Sequence, residues 1–361
     1  MKTIFITGFP GFLGAQLMER WLQKSADIQI FALVQPKFVP LAKRKIAEWQ
    51  KVFESTDHIK LVKGDITHKS LGIAEQDFPV DTIDEIFHFA AVYDLGIDRP
   101  TAYTINVQGT ENMLYFAQRI SNLKRFHYVS TCYVSGRYEG WFNENDLDKK
   151  QEFNNYYEET KFLAEVKVQE AMKKGMPITI YRPAIVVGDS RTGVTQKFDG
   201  PYYVFQWLLR QHSRPILPVT GDPTQYHVNL VPSDFVLNAI TYLSDLKKSE
   251  NRIYQLADPC SLTVHELLEH YENVTGQQIL KIPFPKPVIK GAINHIPGVD
   301  AWVRIEPEAI DYFEHPTRYS STNSMQDLHG SGITCPSISS YLPVLINYLK
   351  RNPGIRNRAM I

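Results

Sequence analysis

The run Ile4-Phe5-Ile6-Thr7-Gly8-Phe9-Pro10-Gly11-Phe12-Leu13-Gly14 restricts the fold more than any other part of the chain. An apolar run of strand character leads into glycines spaced G-x-x-G-x-x-G, and an amphipathic stretch carrying Leu13, Leu17, Trp21 and Leu22 follows. Strand, glycine turn and helix start, in that order, are the setting in which a helix N-terminus meets a pyrophosphate. Gly8 permits the tight turn, Gly11 lets the backbone approach the phosphates, and Gly14 lets the helix lie against the strand. Glycine turns of this kind also occur for packing alone. The flanking strand and amphipathic stretch are what point to a dinucleotide.

The 361 residues suit a nucleotide-binding domain plus a smaller partner, and a hydrophobic content of 43% supports a sizeable core. Lys and Arg number 39, as do Asp and Glu, so the formal net charge is zero. That balance gives no electrostatic case for a nucleic-acid partner or an anionic membrane. Cys132, Cys260 and Cys335 have no paired spacing, which argues against a disulfide framework and a zinc site and for a reducing, cytoplasmic location. Met1 leads directly into the first strand, so no leader is expected. No apolar run reaches the roughly 18 residues of a membrane span; Tyr202 to Leu209 and Ile338 to Leu349 are apolar but short.

The first half alternates between strand and helix patterns. Strands are expected at Thr3–Thr7, Ile28–Val34, Ile59–Val62, Glu85–Ala90, Arg125–Ser130 and Ile178–Arg182, with helices at Phe12–Lys24, Leu41–Phe53, Thr101–Ile120 and Tyr157–Lys174. This predicts an α/β fold, a doubly wound parallel Rossmann sheet with a ligand at the carboxyl ends of its strands. After Gly188 the alternation breaks down. A strand at Val228–Val231, a helix at Ser233–Leu243 and a strand at Arg252–Leu256 are expected, and Thr263-Val264-His265-Glu266 reads as a capping box. Beyond it, Lys281–Ile361 is Pro-punctuated with short helices. The expected division is a nucleotide-binding domain over 1–190, rejoined by 226–260, with a smaller substrate lobe from 191–225 and 261–361.

Tyr157 and Lys161 lie four apart at the start of a helical segment, hence on one face. An ammonium beside a phenol favours phenolate, which would lower the Tyr pKa toward that of a working general acid/base. A solvated Lys on an amphipathic helix is the plainer reading. Of 19 tyrosines, however, only Tyr157 has Lys four residues on. The preceding strand ends in Val129-Ser130-Thr131-Cys132-Tyr133, whose hydroxyls could bond a substrate oxygen or could serve only the turn.

These residues together resemble the extended short-chain dehydrogenase/reductases, closely over about the first 260 residues. The resemblance rests on Thr7-Gly8, Gly11-Phe12 and Gly14; Gly64-Asp65-Ile66; His88-Phe89-Ala90-Ala91; Asn106-Val107 and Gly109-Thr110; Val129-Ser130-Thr131; Tyr157 and Lys161; and Tyr181-Arg182-Pro183. Within the superfamily, Gly11-Phe12-Leu13-Gly14, Ser130-Thr131-Cys132-Tyr133-Val134 and Gly188-Asp189-Ser190-Arg191-Thr192-Gly193 are similar to the fatty acyl reductase and thioester reductase branch. The resemblance implies that Tyr157 transfers the proton, that Lys161 binds the nicotinamide ribose and lowers the Tyr pKa, and that Thr131 holds the substrate oxygen with Ser130 beside it. Asn106 would orient the helix and a water near Lys161. Gly8, Phe9, Gly11, Phe12, Leu13 and Gly14 would take the pyrophosphate, Asp65 and Ile66 the adenine, Ala90 and Ala91 the cofactor path, and Pro183 the nicotinamide face. A homodimer through the helices at 101–120 and 157–174 is also implied.

The second strand ends in Val34-Gln35-Pro36-Lys37, with no carboxylate for a ribose 2′-hydroxyl. Lys37 could meet a 2′-phosphate, which favours NADP over NAD, although Gln35 stands where the branch often carries Arg. The eleven histidines form no metal pair, so no metal is expected. His227, near the cleft rim, and Tyr133 and Tyr202 are substrate-contact candidates. Phe198, Tyr202, Tyr203, Phe205 and Trp207 read as a lobe core that also walls an apolar pocket. The expected activity is hydride transfer to or from the carbonyl or carbinol carbon of a hydrophobic substrate: a lipid-like ketone, aldehyde, alcohol or acyl thioester. The alternatives are a cofactor-retaining sugar-nucleotide epimerase or dehydratase, and a non-catalytic NADP-binding protein.

Overall fold

The computed structural model describes residues 1–24, 27–73, 79–295 and 307–355. The first half runs β1 (Lys2–Thr7), α1 (Phe12–Lys24), β2 (Ile28–Val34), α2 (Val39–Trp49), β3 (Ile59–Lys63), β4 (Glu85–His88), α3 (Arg99–Ala102), α4 (Gly109–Gln118), β5 (Arg125–Val129), β6 (Gly140–Phe142), α5 (Tyr156–Lys173) and β7 (Ile178–Pro183). Then follow β8 (Ile185–Val187), α6 (Pro201–Leu209), β9 (Ile216–Val219), β10 (His227–Val228), β11 (Leu230–Pro232), α7 (Ser233–Asp245), β12 (Arg252–Leu256), β13 (Leu262–Thr263), α8 (Val264–Thr275), β14 (Leu280–Pro283), α9 (Lys286–His295) and β15 (Thr317–Tyr319). A helix at Ile338–Arg351 closes the described chain.

Seven parallel strands form the central sheet in the order β12-β7-β5-β4-β1-β2-β3. The strands read as continuous apolar runs because helices cover both faces; Ile4, Phe5 and Ile6 are all buried. The chain turns one way from β1 through β2 to β3 and the other way from β4 onward, so β1 and β4 flank the switch point. Thr7 sits beside His88 there, and a crevice opens at their carboxyl ends. The expected parallel Rossmann-like sheet is the observed one.

Two local departures from the sequence reading have physical causes. The helix expected over Thr101–Ile120 is interrupted by a π-turn at Tyr103–Gln108, which turns Asn106 inward. The helix expected from Tyr157 starts one residue earlier, because the Asn155 side chain caps it by accepting from Glu158 N at 3.0 Å. The capping box at Thr263 and Glu266 is formed in both directions.

Past β8 the chain returns to the central sheet with β12, and the other described strands form small two-stranded pieces: β8 with β11, β9 with β14, β10 with β13, and β15 with the earlier β6. The β6–β15 piece joins the main core through Phe142 and Tyr319, whereas the others pack with α6, α8 and the last helix around a separate core that includes Tyr202, Phe205, Leu208, Leu268, Tyr271, Tyr341 and Leu345. Phe205 stacks on Tyr271 at 5.5 Å. Residues 296–306 and 356–361 of the expected Pro-punctuated segment lie outside the described residues.

Candidate active site

One cavity of about 650 Å³ runs from the glycine turn, over the ends of β1, β4 and β5, to the lobe. At its base Gly8 adopts φ +91°, and Gly11 N donates to the Gly8 carbonyl at 2.8 Å. A Cβ on either Gly11 or Gly14 would lie 2.7 Å from that same carbonyl oxygen. The glycines therefore close around one another as well as around any ligand, a constraint the spacing alone did not reveal. Phe12, Leu13 and Gly14, at the start of α1, and Phe9 line the cavity, so first-turn N–H groups lie at its wall.

The far end is formed by Gln35, Lys37, Asp65 and Ile66. Asp65 accepts from Thr67 N and Oγ1, both at 2.9 Å, and from Gln35 Nε2 at 3.0 Å. Asn112 Nδ2 holds the Ile66 carbonyl at 2.7 Å. The small Ala90 and Ala91 leave the middle open, and Ala90 N donates to Thr7 Oγ1 at 3.1 Å. An elongated cleft with backbone donors at its centre and small residues along its floor fits a dinucleotide.

Tyr157, Lys161, Thr131, Ser130, Tyr133 and Pro183 meet at the lobe end of this floor. The Tyr157 hydroxyl lies near that of Thr131, which donates to the Pro183 carbonyl at 3.4 Å and accepts from Tyr133 N at 3.2 Å. Lys161, almost fully buried, donates from Nζ to the Val129 carbonyl at 2.8 Å and to Tyr128 OH at 3.2 Å. Burial lowers its pKa to about 8, against the raising effect of Glu165. The phenol departs from the sequence reading. Burial drives the Tyr157 pKa well above its usual value; the neighbouring Thr131 hydroxyl only partly opposes this, and Glu158 and Asp199 add to it. The expected lowering by Lys161 is not seen: its ammonium is hydrogen-bonded to Tyr128 and Val129, and it is not among the groups that act on the phenol.

Three of the candidates lie off the cavity wall. Asn106 acts from behind: its Oδ1 accepts from Val92 N at 2.9 Å and its Nδ2 donates to Thr160 Oγ1 at 3.0 Å, tying the loop after β4 to α5. Tyr202 is lobe core, its hydroxyl accepting from Gly188 N at 2.9 Å. His227 Nδ1 bonds the Ser261 carbonyl at 2.9 Å. Ser130 does line the cavity, yet its hydroxyl donates to Glu165 Oε2 at 2.5 Å. That carboxylate in turn pairs with the fully buried Arg182 guanidinium at 2.6 Å.

Several residues of the site escaped the sequence reading. Glu165 carried a usable signal: with Tyr157 and Lys161 it completes an i, i+4, i+8 row on α5. Glu158, fully buried beside Tyr157, accepts from Asn154 N at 2.9 Å, and burial raises its pKa to about 7. Tyr93 meets Tyr157 edge-on at 4.8 Å. Lys197, Asp199 and Tyr312 also line the cavity, and nothing periodic in the sequence marks them.

The NAD-binding family described as male sterility protein matches residues 6–240. Glycine betaine reductase ATRR of Emericella nidulans is 27% identical over 291 residues, covering 76% of this chain and 22% of that protein. Fatty acyl-CoA reductase wat of Drosophila melanogaster is 27% identical over 276 residues, covering 66% of this chain and 53% of that protein. Among solved structures, the terminal R domain from the myxalamid PKS-NRPS biosynthetic pathway superposes with a TM-score of 0.81 at 25% identity, covering 99% of this chain and 92% of that one. The chain spans between 5% and 65% of the length of the first curated relatives it matches. No helix among the described residues is long and apolar enough to cross a membrane.

Proposed function

The chain belongs to the male sterility family of NAD(P)-binding, extended short-chain dehydrogenase/reductase-type oxidoreductases, and from that premise we propose that it is an NADP-dependent reductase or dehydrogenase of a hydrophobic carbonyl or carbinol substrate. The observation that carries this reading is the continuity of one cavity, from the glycine turn past Tyr157, Lys161 and Thr131 to a wall of Val204, Phe205, Leu267 and Leu268. An apolar wall beside a few convergent polar groups suits a lipid-like ketone, aldehyde, alcohol or acyl thioester. The thioester is the substrate type named in the fatty acyl-CoA reductase relative. For NADP, the support is Gln35 in place of a carboxylate at the end of β2, with Lys37 on the wall beside it.

Bound nicotinamide supplies or accepts the hydride. In the reducing direction the protonated Tyr157 phenol gives its proton to the substrate oxygen while Thr131 orients that oxygen. Lys161 holds a positive charge near the ribose side of the site, and Asn106 keeps α5 and the loop after β4 in register. The apolar lobe wall excludes water from the reacting carbon.

The test is a fluorescence titration with NADPH and NADH beside an absorbance assay with a long-chain acyl-CoA, a long-chain aldehyde and a hydrophobic ketone. The expected result is tighter NADPH binding and oxidation by at least one of the three. Tyr157→Phe should lower kcat by about 10²–10⁴-fold and still bind NADPH. Failure to bind either nucleotide overturns the reading, and turnover without net cofactor change moves it to an epimerase or dehydratase.

A further inference from the structure

The segment after β8 brings a charged pair to the cavity wall opposite α5. Lys197 Nζ lies 3.2 Å from Asp199 Oδ2, with only 17% and 19% of the two side chains exposed, and both line the cavity. The ammonium stands 5.2 Å over the Tyr93 ring, and that ring meets Tyr157 at 4.8 Å. One aromatic ring thus separates the pair from the proposed proton donor. Asp199 lies close enough to Tyr157 and Tyr93 to bear on both hydroxyls. The surrounding wall is mostly apolar: Leu95, Pro201, Tyr203, Val204 and Phe205.

An ion pair at such a place is costly. Desolvating two charges offsets most of their attraction, and apolar residues of the same size would hold the loop as well or better. The loop has other ties: Thr195 Oγ1 donates to the Lys197 carbonyl at 3.1 Å, and Tyr202 N donates to the Asp199 carbonyl at 3.1 Å. Lys197 retains donor capacity beyond its one carboxylate partner. Charge decides what it can take. The pair is neutral overall and Asp94 lies nearby, so an anionic group would leave uncompensated negative charge in an apolar cavity.

We infer that Lys197 and Asp199 form a polar subsite for a neutral substrate group that both accepts and donates a hydrogen bond, a hydroxyl or a secondary amide a few bonds from the carbon that is reduced. This rests on the reading above that the cavity holds an apolar substrate, and it narrows that substrate to an amphipathic one. Lys197 donates to the group's oxygen, and Asp199 accepts its O–H or N–H. An unsubstituted hydrocarbon tail leaves the pair unsatisfied and is disfavoured accordingly.

The experiment is calorimetric titration of the full chain, with and without saturating NADPH, with 1-decanol, decane-1,3-diol and N-heptyl-3-hydroxypropanamide. None of these can be reduced further at its alcohol, so binding is read apart from turnover. The expected result is that the diol or the amide binds about tenfold or more tightly than decanol, and the tighter of the two identifies the group. In Lys197→Met the ratio should fall to about one, and in Asp199→Asn it should fall several-fold. Because each ratio is taken within one protein, partial misfolding of a variant cancels. A wild-type ratio near one, or a ratio kept in Lys197→Met, overturns the subsite. A kept wild-type preference that Lys197→Met removes, alongside no NADPH oxidation by any carbonyl substrate, upholds the subsite and overturns only the reductase reading. No binding of any of the three overturns both.

Discussion

On the sheet side, the cavity is lined by backbone and small side chains at the ends of adjacent strands: Gly8, Gly11 and Gly14 after β1, and Ala90 and Ala91 after β4. On the lobe side, it is lined by bulky side chains from segments far apart in the chain: Lys197 and Asp199, Val204 and Phe205, Leu267 and Leu268, and Tyr312. The first surface is fixed by hydrogen-bonded register, which tolerates almost no added atoms. The second is fixed by packing around a separate core, which can be repacked at moderate cost. One scaffold can in this way hold the same nucleotide while its other wall is shaped to a different substrate.

The contrast can be broken or sharpened by substitution. The largest expected effect is beneath the sheet-side floor. Glu165→Ala leaves the fully buried Arg182 guanidinium without its carboxylate and should cost about 3–5 kcal/mol in urea unfolding. A cost below about 1 kcal/mol would mean that the floor has no such rigid support. Gly8→Ala comes next. Its Cβ would lie 2.7 Å from Phe89 Cβ at a φ of +91°, so stability should drop by ~3 kcal/mol, with NADPH affinity falling in parallel. Unchanged NADPH affinity would separate the turn from the cofactor. On the lobe side, Leu268→Phe adds volume to a buried cavity residue. The KM for hexadecanal should rise about tenfold relative to that for octanal, while NADPH affinity stays within about twofold. A matching loss of NADPH affinity would show that the two walls are not independent.

The smallest effect lies where the walls meet. Burial raises the Glu158 pKa from 4.5 to about 7. A group raised in this way contributes stability that is fully present below about pH 4.5 and lost as pH rises through about 7. Glu158→Gln should therefore be neutral or slightly destabilising at pH 4.5 and stabilising at pH 8. Chemical unfolding at the two pH values measures the difference, and the same offset at both would mean that Glu158 does not titrate in this range.

Much of the sheet side is legible in the sequence. Glycine spacing, apolar strand runs and a Tyr–Lys pair at helical spacing are local patterns, and hydrogen-bonded strands and helices turn local pattern into fixed geometry. β2, β12 and α1 fall on their expected bounds for that reason. Asn106 stands out in the sequence, but the π-turn that aims it at Val92 and Thr160 leaves no periodic trace. His227 and Tyr202 are placed near substrate by their neighbourhood in sequence, and the fold spends both on holding the lobe together.

The sequence alone determined the nucleotide crevice, the parallel sheet and the pair Tyr157 and Lys161, because each shows in patterns of residues a few positions apart. The tertiary structure alone decided which groups are desolvated and which distant segments face one another. Burial, which reflects the whole packed molecule, pushes the Tyr157 pKa up and lowers that of Lys161 to about 8. The meeting of Tyr93, Tyr157 and Lys197 likewise joins residues as much as a hundred positions apart, and no local period encodes such a contact.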